Sequence, residues 1–77
     1  MSTPTTARAE LAAAVRRVNV AFNTLPESVR DSLDLSSPDL EREIDAAILG
    51  DDRPRALVAI RAWREHHLQR FREAANA

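Results

Sequence analysis

The sequence predicts a small all-α domain of four helices, and three observations carry that expectation. In the N-terminal third, apolar residues recur at Leu11, Val15, Val18, Phe22 and Leu25, the four-three-four-three spacing of a single helical stripe. The periodic segments are separated by breaks at Thr24-Leu25-Pro26-Glu27 and Ser36-Ser37-Pro38, and then by the single glycine, Gly50. Beyond it, Leu57, Ile60, Leu68 and Phe71 again keep helical spacing.

The first helix is expected over 6–24. Its stripe is also a heptad seam, but it is too short for an extended coiled coil, so its use is packing within the domain or across a dimer. Val20 points the opposite way. Thr24 and Glu27 have the spacing of a capping box, and Pro26 is tolerated in a first turn, so a short second helix is expected over 25–34. It would bury Val29 and Leu33, with Leu25 where the chain enters it.

Ser37 is expected to cap the third helix, 38–49, with Pro38 in its first turn and Asp39 and Glu41 complementing its dipole. Leu40, Ile44, Ala47 and Ile48 form its apolar face. Gly50 is expected to close it in the left-handed conformation. Asp52 is the best cap for the fourth helix, 54–75. A connection this short makes the last two helices an antiparallel hairpin. By spacing, Arg64 falls inside the apolar stripe of the fourth helix. Trp63 and His67 sit on one shoulder, and Arg61 and Arg72 on the other. Residues 6–75 are thus expected to form one helical domain, with 1–5 a disordered tail and 76–77 a frayed end.

At 77 residues the chain makes one domain at most. A domain of this size buries roughly 60–65% of the surface its unfolded chain exposes, so marginal stability and association are expected. There is no cysteine, which excludes disulfides and thiolate metal sites. No apolar run approaches the roughly 20 residues of a membrane span. The N-terminal MSTPTTARAE lacks the apolar stretch of a signal peptide. The expected location is cytoplasmic, with no membrane partner.

All eleven basic residues are arginine, and the net charge is −1. That value hides a segregation: residues 1–25 carry a net +2, residues 26–52 a net −7 and residues 53–77 a net +4. Unlike blocks attract, so the acidic middle is expected to pack beside the basic end.

The sequence offers little for catalysis. His66 and His67 diverge by about 100° on a helix and cannot chelate one ion as a pair four apart could. No serine sits in a nucleophile elbow, and no glycine-rich phosphate loop exists. No enzyme activity, metal or cofactor is expected. The Gly50 turn departs from a DNA-binding helix-turn-helix, because Asp51 stands where an apolar residue is wanted and Pro54 intrudes on the would-be recognition helix. The arginines of the fourth helix do not form a single stripe.

Asp31-Ser32-Leu33 resembles the triplet on which acyl carrier proteins attach phosphopantetheine, and those domains are also small and helical. The resemblance covers three residues and implies Ser32 as the modified side chain. In that family the serine opens a long acidic helix, whereas Ser32 comes late in a short one.

An arginine within an apolar stripe needs a partner. For Arg64 that partner is expected to be Glu41, Glu43 or Asp45, unless the guanidinium snorkels past the helix edge or meets the surface of another molecule, since arginine and tryptophan are enriched in binding hot spots. The expected function is a small protein–protein interaction or regulatory module, self-associating as a homodimer. Its candidate interface is Trp63, Arg64, His67 and Phe71. The alternative is nucleic-acid binding through the arginine-rich last helix, and the minor alternative is the carrier role of Ser32.

Overall fold

The computed structural model describes residues 6–76. The tail expected over 1–5 and the terminal Ala77 lie outside the described residues. Within them there are four helices and no strand: α1 (Ala7–Asn23), α2 (Glu27–Ser32), α3 (Pro38–Leu49) and α4 (Arg53–Ala75). The all-α class and the four-helix order agree with the sequence reading.

Thr6 caps α1, its hydroxyl oxygen accepting the Ala9 N–H at 3.1 Å. The buried face of α1 is Ala14 and Val18, with Leu11 and Phe22 half-buried. Val15, expected in the seam, is 37% exposed. The alanine one residue before it takes the central position because it lets α1 approach α4 more closely.

Thr24 does not open α2. It closes α1, donating its hydroxyl to the Ala21 carbonyl at 2.7 Å, so the expected capping box with Glu27 does not form. The cause is Pro26, whose φ of −58° suits a helix start and whose carbonyl accepts the N–H groups of Val29 and Arg30, both at 3.0 Å. α2 is therefore shorter than 25–34. It has no buried residue, and Val29 and Leu33 are half-buried. After it, the Asp34 carboxylate accepts the Ser36 N–H at 2.9 Å, an Asx turn that redirects the chain into α3.

α3 buries Ile44 and Ala47 and ends in paired backbone bonds. The Asp52 N–H reaches the Ala47 carbonyl at 2.9 Å, and the Asp51 N–H reaches that of Ile48 at 3.1 Å, the Schellman arrangement. Its left-handed residue is Asp51, with φ 53°, and Gly50 keeps φ −84°. The glycine expectation was one residue early: Gly50 is the cap, and the following position turns left-handed. Asp52 caps α4 as expected, accepting the Arg55 N–H at 3.2 Å. At the far end the Asn76 N–H reaches the Arg72 carbonyl at 3.1 Å.

α4 is about 34 Å long at 1.5 Å per residue and packs against both α1 and α3. Its buried face is Ala56, Ala59, Ile60, His67 and Phe71. This corrects the expected stripe, since Leu57 and Leu68 are only half-buried and His67 moves from the shoulder to the centre. Ala14, Ile44, Ala59 and Ile60 form the core, with Leu11, Ile48 and Trp63 packed around it. The molecule is thin, with a Cα extent of 15 Å in its shortest direction. Two layers of helices spaced about 8–10 Å apart account for that thickness.

Asp51 gives a direct test of the turn. A left-handed non-glycine residue is strained by about 1–2 kcal/mol, less for aspartate than for bulkier residues. Asp51→Gly should therefore stabilise the fold by about 0.5–1 kcal/mol and raise the melting temperature by a few degrees in calorimetry. A lower melting temperature would show that Asp51 contributes an interaction that outweighs the strain.

Candidate interaction surface

The four residues singled out on α4 divide between the interior and two grooves. Phe71 is 4% exposed and His67 only 1%. Both belong to an aromatic row along the inner face of α4. The Trp63 and His67 rings lie 5.0 Å apart edge to face, His67 and Phe71 lie 6.3 Å apart, and Phe71 meets Phe22 of α1 at 5.8 Å. Such pairs contribute beyond simple burial.

His67 finds its polar partner in Ser37, whose Oγ lies 3.1 Å from Nε2 with both residues buried. Ser37 stands at the N-cap of α3, as expected, but its hydroxyl makes no cap hydrogen bond. The imidazole needs it more, because a buried ring nitrogen left unpaired costs more than an exposed helix N–H that water can reach. The contact joins the start of α3 to the middle of α4. His67 Nδ1 is buried with no partner. Burial, then the nearby charges of His66 and Arg70, push the His67 pKa below its ordinary value, against an opposing influence from Glu41.

Half-buried Trp63 faces outward from this row into a groove of about 250 Å³, lined also by Leu11, Val15, Ile44, Glu41 and Asp45. The floor is apolar and comes from three helices. Glu41 and Asp45 stand one helical turn apart on α3, both exposed, and neither has an ion-pair partner among the described residues.

Arg64 lies on the other side of α1. It lines a groove of about 330 Å³ with Glu10, Arg17, Leu57, Ile60 and Arg61. Its expected bridge to Glu41, Glu43 or Asp45 is not made, because the rotation of α4 turns Arg64 away from α3. It pairs with its neighbour Glu65 at 3.5 Å, its side chain is 34% exposed, and its Nε is buried without a partner. The acidic and basic helices are linked instead by Arg55 and Glu43, Nε to Oε1 at 2.7 Å. That pair is half exposed, so water screens it and it contributes little to stability. Arg70 adds a second link from α4, donating to the Asp34 carbonyl at 2.8 Å. The Ser36 N–H and hydroxyl, with the Arg70 charge, hold the Asp34 carboxyl below its ordinary value, and Arg55 does the same for Glu43.

Sequence reasoning missed Ser37 as a partner of His67, and Glu41 and Asp45 as the rim of the groove over Trp63. The spacing of the two acids places them on one face of α3, but nothing local shows that Trp63 lies beside them. Ser32 ends α2 and donates its hydroxyl to the Val29 carbonyl at 2.8 Å, so it does not open a helix as the carrier-protein serine does. Among the described residues no group of three acidic or histidine side chains is placed to hold a metal ion. No helix of the described residues is long and apolar enough to cross a membrane.

The buried His67 gives a test of how folding depends on pH. A histidine whose pKa is lowered in the fold binds its proton more readily when unfolded. Its contribution is complete above its ordinary value of 6.5 and declines as the pH falls from there toward the lower folded value. Melting temperature should therefore drop between pH 7 and 5, and His67→Phe should flatten that limb. An unchanged slope in the variant would place the acid sensitivity elsewhere. A separate decline below pH 4.5 is expected as Glu43 protonates and loses Arg55.

The chain matches no protein-family model and has no significant match among curated proteins or solved structures, so its functional reading rests on its own residues.

Proposed function

We propose that this chain is a small helical module that binds another protein, most readily a second copy of itself, and that it acts by binding without catalysis. The observation that carries this reading is the incomplete cover of its core. Among the described residues, half of the eight buried apolar ones are alanine. Larger side chains stay open to water: Leu11, Ile48 and Trp63 are half-buried beside the core cluster, and Val15, Val20, Val58 and Leu49 are 37%, 65%, 70% and 83% exposed. A thin domain of this kind gains stability by covering such surface with a partner. The half-buried tryptophan is the residue type most enriched where interface energy concentrates.

Sedimentation velocity from micromolar to millimolar concentration tests the reading. The expected result is a concentration-dependent shift from monomer to dimer or larger species. A monomer throughout that range would remove self-association.

A second reading, binding of nucleic acid, gains support from the grouping of Arg17, Arg61 and Arg64 around one groove, which brings together arginines that lie far apart in sequence. Glu10 in the same groove weakens its field. Retention of mixed-sequence DNA and RNA at low salt, lost steeply as salt rises, is the expected behaviour under this reading. Absence of retention at low salt would eliminate it.

A further inference from the structure

Val20 stands 65% exposed on α1, three and four residues beyond Arg17 and Arg16. That spacing places both arginines beside it on one helical face. The three line a shallow depression with Ala21, Thr24 and Leu68. Both arginines are exposed, and neither has an ion-pair partner among the described residues. Val20 is thus an exposed aliphatic side chain at the edge of that depression, here called the knob, flanked by two unpaired guanidinium groups.

The groove over Trp63 has the opposite character, an apolar floor flanked by the unpaired carboxylates of Glu41 and Asp45. Leu11 and Val15 bring α1 to that groove, whereas Arg16, Arg17 and Val20 face away from it around the same helix. One molecule therefore cannot bring its own knob to its own groove. We propose that the two features meet between copies: Val20 of one chain enters the groove over Trp63 of a second, setting Arg16 and Arg17 against Glu41 and Asp45.

This inference rests on the self-association reading and specifies its surface. The occupant is a second copy because charge and polarity are complementary in both halves: two cations meet two anions, and an exposed aliphatic side chain meets an apolar floor. A single knob-in-groove contact uses two different patches and is heterologous, whereas the reciprocal pair is isologous. It closes into a pair only if both knobs fit both grooves at once, and otherwise extends into a ring or chain. Because its charges lie at a rim, association should weaken as salt rises.

The test is charge reversal followed by mixing. Sedimentation equilibrium would compare wild type, E41R/D45R and R16E/R17E, with circular dichroism confirming that each remains helical. Each reversal alone sets like charges across the contact and should weaken association by at least about tenfold. An equal mixture of the two variants restores opposite charges at every contact between unlike chains and should recover association of wild-type strength through mixed species. Should a double reversal unfold the chain, E41Q/D45Q and V20S take its place, with weakened association expected for each. Association of wild-type strength in both reversed variants, or failure of the mixture to recover it, would overturn this surface while leaving self-association intact. A wild-type chain that stays monomeric at millimolar concentration would overturn both.

Discussion

The burial of His67 at the centre of α4 is the constraint to which the rest of the fold answers. A side chain with two polar ring nitrogens, 1% exposed, needs a partner in the interior, and Ser37 supplies one. Supplying it costs α3 its side-chain cap and fixes where α3 begins relative to α4. The connection before Ser37 is then held by its own turn at Asp34 and by the Arg70 hydrogen bond to the Asp34 carbonyl. On the other side, Phe71 extends the aromatic row to Phe22 and so to α1. One face of α4 thereby organises both neighbours.

That face is also why the molecule is thin. α4 can hold two helices only where its own side chains are small enough to let them close in. Ala56 and Ala59 on α4, Ala14 on α1 and Ala47 on α3 are all buried, with Ala47 and Ala56 at 0% exposure. Close approach raises the number of dispersion contacts, but each alanine buries little area of its own. The larger side chains at the edges remain partly wet for the same reason, and that leaves apolar surface open to solvent.

Much of this architecture was legible in the sequence, because capping and turn chemistry are local. Pro38, the break at Pro26 and the Asp52 cap all follow from one or two adjacent residues. The face that each helix buries was less legible. Reading bulk as burial selects Val15, Leu57 and Leu68 and places Arg64 in the stripe. The fold instead selects the alanines and turns α4 by a fraction of a residue, which takes Arg64 to one groove and His67 to the core. The Ser37–His67 contact spans thirty residues and leaves no periodic trace. Glu41, Asp45 and Trp63 could not be assembled into one groove without knowing how α3 and α1 sit on α4.

The charge segregation takes on a different meaning once the helices are placed. Attraction between an acidic middle and a basic end leads one to expect neutralisation across the α3–α4 contact. Arg55 and Glu43 achieve some of it, yet Glu41 and Asp45 on α3 and Arg16 and Arg17 on α1 keep their charges open to solvent. Such charges cost little in a monomer because water screens them, and their attraction at separations beyond about 8–10 Å is weak at ordinary salt. Their value appears only at short range, where a guanidinium meets a carboxylate beside an apolar contact that excludes water. Glu41 belongs to both settings, since it rims the groove over Trp63 and its charge also acts on His67 from the side of α3. An arginine placed against Glu41 would offset the negative charge that favours protonating His67. Burial of the ring outweighs that influence, so His67 is held neutral chiefly by the packing of α4 and only slightly through the groove.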